Sequence, residues 1–226
     1  MTSQDSTAEA ILERFEALNT AVICDVFDEK RWKAPALDMG VKPFTTSGGT
    51  VAGWAYTIEG SCLNEAGPDR EKLRVVDATP SGSIAVWSGT DAQGFCLFGD
   101  LLALTMASRG CRGAIVDGGF RDRATIQSQG FPVFARYTSP VQAVGRWRVT
   151  GANVTLRLTS ATREELTVSP GDLVLADDDG VVVVPRHDVG EVLARAEQIV
   201  RDEETARKPD GTPFSAVEML ERFGHV

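Results

Sequence analysis

The stretch Ala114–Asp122 reads AIVDGGFRD: an apolar run, two glycines, then opposite charges side by side at Arg121 and Asp122. Such a pair can simply associate in water, where it contributes about 0–1 kcal/mol. Asp122 can also cap a following helix while Arg121 stays solvated. The same two side chains can instead serve one ligand. A planar guanidinium fork matches a carboxylate or an enolate oxygen, and a lone carboxylate completed by waters is an ordinary site for magnesium or manganese. A second junction, FGDLL at 98–102, leads through Gly99 and Asp100 into a helical pattern. The backbone N–H groups of Leu101 and Leu102 stand in its first turn, where free donors and partial positive charge can hold a carboxylate without any lysine. If the two junctions are neighbours, these donors and the Arg121–Asp122 pair face one space.

Other chemistries fit less well. Neither G-x-G-x-x-G nor G-x-x-x-x-G-K-[ST] occurs, so no nucleotide-binding loop is indicated. His187 and His225 are the only histidines, and both read as solvated residues, which disfavours a histidine triad or a zinc centre. The acidic run ADDDG at 176–180 lacks the alternating ligands and terminal glutamate of an EF-hand and reads as a turn. Cys24, Cys62, Cys96 and Cys111 show no C-x-x-C spacing and read as reduced thiols. Trp32, Trp54, Trp87 and Trp147 are scattered, as core or interface anchors are.

The elements that must position the two junctions follow from periodicity. Ile11, Leu12, Phe15 and Leu18 recur at helical spacing, and a second short helix is expected from Thr20 to Asp28, with Asn19 and Thr20 offering a cap. SIAVWSG (83–89), CRGAIVDGG (111–119) and FPVFAR (131–136) read as strands. Between them lie the helical patterns of FGDLLALTMASRG, closing at Gly110, and RDRATIQSQG. Strand and helix alternating in this way predict an α/β core with crossover connections. NVTLRLT, ELTV and DLVLADDDGVVVVP are β-rich, and a final helix covers 189–208 with Val192, Leu193, Ala196, Ile199 and Val200 along one face.

Bulk properties bound the function further. The 226 residues are 42% hydrophobic and 24% charged, which fits a folded globular chain. A net charge of -9 and the absence of any basic run of five argue against a nucleic-acid partner. No apolar run reaches the roughly 18 residues of a membrane span, and the N-terminus lacks the pattern of a signal peptide, so a cytoplasmic protein is expected.

Taken together, FGDLLALTMASRGCRGAIVDGGFRD, then GFPVFAR, then VSPGDLVLADDDGVVVVP resemble the RraA-like family over about residues 15–207. That family contains the 4-hydroxy-4-methyl-2-oxoglutarate and 4-carboxy-4-hydroxy-2-oxoadipate aldolases and the regulator of ribonuclease activity A. The resemblance implies one domain over 1–226, with a tail at 208–226, in a compact swivelling-domain-like α/β fold. This is an αββα sandwich with an N-terminal helical arm and a C-terminal helix, assembled as homotrimers or hexamers with the site between subunits. It implies a lyase dependent on Mg2+ or Mn2+ that acts on a small 2-oxo acid, by retro-aldol cleavage or oxaloacetate decarboxylation, through a pyruvate enolate. Carried over by motif, Asp122 holds the metal, and Arg121 binds the oxo group and stabilises the enolate. Gly99, Leu101 and Leu102 cradle the pyruvyl carboxylate, and Asp100 orients a water for proton transfer. A glutamate of the last helix, Glu203 or next to it Glu204, reaches a neighbour's site. The same resemblance admits a non-catalytic ribonuclease-type regulator, or related enolate chemistry (hydration, dehydration or isomerisation) on a sugar-acid-like substrate.

Overall fold

The computed structural model describes residues 3–45, 48–89, 91–205, 215, 217, 218 and 221, with the backbone alone at 3–5 and 203–205. Two helices come first, α1 (Ser3–Glu16) and α2 (Thr20–Glu29). Asn19 caps α2 as expected, its side chain accepting the Val22 N–H at 2.8 Å. Strands β1 (Lys42–Thr45) and β2 (Val51–Cys62) follow, then α3 (Arg70–Asp77), β3 (Ser83–Ser88), β4 (Cys96–Phe98) and α4 (Asp100–Ser108). Next come β5 (Gly113–Phe120), α5 (Arg123–Ser128), β6 (Val133–Thr138) and β7 (Trp147–Ala152). The chain continues through β8 (Leu156–Thr159), β9 (Glu165–Val168), β10 (Leu173–Asp177), β11 (Gly180–Val184) and α6 (Val189–Thr205).

Nine strands form one mixed sheet in the order β1-β6-β5-β3-β2-β10-β11, with β4 beside β5 and β7 beside β2, while β8 and β9 pair separately. The parallel core is β2, β3, β5 and β6, with α3 between β2 and β3, α4 between β3 and β5, and α5 between β5 and β6. Strand alternation explains the layering, because neighbouring side chains point to opposite faces. Ala85, Trp87, Ala114, Val116, Val133 and Ala135 join one buried cluster with residues of α3, α4 and α5. Their neighbours Ile84, Val86, Ile115 and Phe134 face the other way, into a second cluster shared with Val174, Val181 and Val183. Leu173, Leu175, Val182 and Val184 turn outward into a third cluster under α1, α2 and α6. Three clusters separate four layers, so the chain is the expected αββα sandwich.

Helix α3 and strand β7 were not read from the sequence. The eight residues REKLRVVD bury only Val75 and Val76, too short a stripe to register as a helical period. Among the described residues no helix is long and apolar enough to cross a membrane. The acidic run lies at the tight turn between β10 and β11, where Asp177 pairs with Gly180. The Asp177 carboxylate accepts the backbone N–H and the hydroxyl of Thr20, both at 2.7 Å. Of the tail at 208–226, only 215, 217, 218 and 221 fall among the described residues.

Candidate active site

The two glycine-bearing junctions are neighbours because β4 and β5 run parallel and end together, with Phe98 paired to Phe120. The Arg121 N–H donates to the Phe98 carbonyl at 3.0 Å. Beyond these strand ends the chain enters α4 on one side and α5 on the other, the position where open α/β sheets bind ligands. The glycines of AIVDGGFRD serve close approach. A Cβ on Gly119 would stand 2.3 Å from the Tyr137 ring and 2.7 Å from the Phe95 carbonyl oxygen, and one on Gly118 would stand 3.0 Å from Leu97.

Asp122 sits at the start of α5 in the left-handed region, φ 62° and ψ 33°, and its side chain makes no capping hydrogen bond. Its backbone carbonyl makes the first helical bond, accepting the Ile126 N–H at 3.0 Å. The carboxylate turns instead to Arg121, whose Nε lies 3.2 Å from Oδ2, and to the Asp100 N–H at 3.4 Å from the same oxygen. The two side chains keep 43% and 34% of their surface in water, so their mutual attraction alone is worth little. Left-handed backbone costs a non-glycine residue about 1–2 kcal/mol. That strain, combined with a carboxylate withheld from capping, disfavours the simple cap.

At the N-terminus of α4, Gly99 is the cap residue and offers no side chain. The Leu101 N–H donates to the Asp100 Oδ1 at 2.8 Å. A carboxylate arriving at this helix end therefore competes with Asp100 for that donor. Gly99, Asp100, Leu101, Leu102 and Arg121 all line one cleft of about 190 Å3. Asp122 lines an adjoining recess with Arg121 and Ser139, so Arg121 stands between the two hollows. Leu101 is 72% exposed, and Leu104, Val141 and Val144 beside the cleft region are also exposed. The side chains of Glu203 and Glu204 lie outside the described residues.

Lys72 and Trp147 line the same cleft, and neither was singled out from the sequence as a site residue. Lys72 comes from α3, whose cap residue Asp69 accepts the Lys72 N–H at 3.0 Å and the Val149 N–H at 2.9 Å. The residue keeps some solvent contact, but its ammonium end is enclosed. It donates to the Leu97 carbonyl and stands 5.5 Å and 5.6 Å from the ring centroids of Trp87 and Trp147. Desolvation pushes its pKa down to about 8, against the opposing pull of the Asp69 charge. Cys96 is buried nearby, and desolvation raises its thiol pKa. His187 is exposed and, among the described residues, pairs only with Asp188, at 3.3 Å.

Among the described residues no three His, Cys, Asp or Glu side chains gather as an all-protein metal cage. The donor set fits only a hard cation that keeps most of its waters: one partly exposed carboxylate, Asp122, with Asp100 adjacent.

The RraA-like family model, described as Aldolase/RraA, matches residues 20–183. The chain belongs to the RraA-like family. Protein DlpA of Legionella pneumophila is 29% identical over 89% of this chain, and the match spans 32% of that longer protein. A protein of Halalkalibacterium halodurans named "Putative 4-hydroxy-4-methyl-2-oxoglutarate aldolase" is 26% identical over 95% of both chains. The crystal structure of Streptomyces coelicolor RraAS2, described as an unusual member of the RNase ES inhibitor RraA protein family, superposes with a TM-score of 0.73. It is 23% identical and covers 87% of this chain and 94% of its own, which supports the RraA-like fold alone.

In this RraA-like chain Gly99 is where the backbone closely approaches the charged pair. A Cβ there would stand 3.0 Å from the Asp122 Oδ2 and 3.4 Å from the Arg121 Cγ and Nε. Gly99→Ala is expected to leave the thermal unfolding midpoint nearly unchanged, because its φ of -155° suits any residue. In a catalytic reading of this site it should nevertheless lower turnover by about 10-fold or more by displacing both charged groups. Parallel melting curves and steady-state rates on one preparation check both halves.

Proposed function

We propose that the protein is a divalent-metal-dependent lyase for 2-oxo acids that works through pyruvate enolate, cleaving a 4-hydroxy-2-oxo acid, decarboxylating oxaloacetate, or both. One observation carries this: Asp122 takes a left-handed conformation at a helix start yet gives its carboxylate to Arg121 and to the mouth of α4 rather than to the cap. The aldolase name of the Halalkalibacterium relative supports the same chemistry.

The pyruvyl carboxylate accepts N–H groups of the first turn of α4 and displaces the Asp100 side chain from the Leu101 N–H. Released, Asp100 holds a water that takes the 4-hydroxyl proton. Arg121 donates to the 2-oxo oxygen. As the carbon–carbon bond breaks, its electron pair moves into the enolate, and the guanidinium stabilises the charge that collects on that oxygen. Asp122 would hold a divalent cation, which would supply Lewis-acid polarisation of the 2-oxo group. The water beside Asp100 then returns a proton to the methylene carbon, giving pyruvate. In this assignment the exposed Leu101, Leu104 and Val144 are covered by a second subunit of a trimer or hexamer.

Purified protein with Mg2+ or Mn2+ is expected to release pyruvate from oxaloacetate or from 4-hydroxy-4-methyl-2-oxoglutarate, followed by coupling to lactate dehydrogenase. Neither acid yielding pyruvate above the metal-only background would remove the lyase assignment. The family description, Aldolase/RraA, admits one other reading, a binding protein that regulates without catalysis. For that reading, an Asp122→Ala protein would retain full biological effect. Metal-dependent turnover of a sugar acid without pyruvate, seen by NMR of the products, would mark redirected enolate chemistry.

A further inference from the structure

Three positive features converge on the cleft: the N-terminus of α4, the Arg121 guanidinium and the Lys72 ammonium. The proposed chemistry uses the first for the pyruvyl carboxylate and the second for the 2-oxo oxygen. Lys72 is left over.

Its surroundings are unusual for a structural lysine. Enclosed charges are ordinarily paired with an opposite charge, yet among the described residues Lys72 forms no ion pair, and its ammonium donates to one neutral carbonyl, that of Leu97. The acidic cap residue of its helix, Asp69, whose charge acts on the ammonium, already accepts two backbone N–H groups. An ammonium has three N–H donors, so two remain beyond the Leu97 bond. The faces of Trp87 and Trp147 wall it in, and Trp147 itself keeps a buried indole N–H with no acceptor among the described residues. Donors are in surplus and acceptors are missing, on a surface that opens into the substrate cleft.

Resting on the lyase reading above, we propose that Lys72 is a specificity-determining residue: it receives the second carboxylate of a dicarboxylic 2-oxo acid, so that the cleft selects such dianions over pyruvate-like monoanions. The indole walls strengthen the contact by excluding water from it. The groups facing the ammonium are Asp69 from α3, Cys96 from β4 and Arg121 from the strand end. Of these, Arg121 favours the neutral amine, as does burial. The contact therefore weakens as pH rises past about 8, where the amine loses its proton.

Calorimetric binding of pyruvate and of 2-oxoglutarate in the presence of Mg2+ tests this, since 2-oxoglutarate carries the second carboxylate but no 4-hydroxyl to cleave. Lys72→Gln is expected to weaken 2-oxoglutarate by about 10-fold or more, the loss of a charge-assisted hydrogen bond, while pyruvate stays within about 2-fold. Lys72→Arg should recover part of the difference and remove the decline in 2-oxoglutarate affinity above pH 8. If Lys72→Gln melts below the assay temperature, Lys72→Met provides the same comparison. Wild-type binding of both acids with equal or absent changes in the variants overturns the Lys72 assignment alone. Wild-type binding of neither acid overturns the oxo-acid reading and the assignment with it.

Discussion

Arg121→Ala is expected to reduce pyruvate release by on the order of 10²-fold or more, the loss seen when one oxyanion donor is removed, while the protein unfolds at nearly the wild-type temperature. The two halves have separate causes. Arg121 is 43% exposed and its ion pair with Asp122 is solvated, so deleting it takes at most about 1 kcal/mol from stability. In the proposed lyase chemistry its guanidinium faces charge that exists fully only as the bond breaks, and that is where a donor contributes most. Asp122→Gly gives the complementary result. Glycine adopts φ 62° without a Cβ penalty, so stability should stay within about 1 kcal/mol of wild type, while the metal-dependent rate falls to background. Steady-state kinetics across a Mg2+ titration, paired with urea unfolding, separates these effects. A variant of Arg121 with an unchanged rate would show that the guanidinium is not the oxyanion donor.

Arg136→Met should have the opposite signature, a large loss of stability. Arg136 joins two buried carboxylates: its Nε donates to Asp117 on β5, and its Nη1 donates to Asp38 at 2.7 Å. Asp117 is 1% exposed and Asp38 is 7% exposed. Removing one member of such a network leaves buried charge without its guanidinium, at a cost of about 3–5 kcal/mol. The hydrogen bond from Arg136, opposed by burial and aided by the Gly40 N–H, holds the Asp38 carboxyl below its ordinary pKa. A group depressed in the folded state stabilises the fold above its unfolded pKa, and that contribution is lost as pH falls through the folded value. Wild type should therefore lose stability below the ordinary carboxylate range, and Arg136→Met should show a shallower slope there as well as a lower plateau at pH 7. Urea titrations between pH 2 and 7 measure both, with the pH limits set by carboxylate titration.

Much of this architecture is local and therefore legible in the chain itself. Alternating side chains in 84–87, 114–116 and 173–176 assign each strand to two cores, because the two-residue period is a property of the extended backbone. Asn19, Gly110 and the acidic turn at 177–180 act through bonds spanning three or four residues, and each lies where its type predicts. The motifs at 98–102 and 120–122 likewise indicated a helix start and a charged pair, and both are present.

What the sequence could not convey is which distant groups meet, and what each side chain does once they have met. Lys72 lies on, and Asp69 caps, a helix too short to register by period, and they reach the cleft only because α3 and α4 pack on the same face of the sheet. The diversion of Asp122 from capping to Arg121 and the mouth of α4 depends on the parallel pairing of Phe98 with Phe120. The occupation of the Leu101 N–H by Asp100 depends on side-chain rotation at a free helix end. Periodicity and capping are short-range effects encoded in neighbouring residues, whereas strand register and the enclosure of a charge are sums over contacts between segments far apart in the chain.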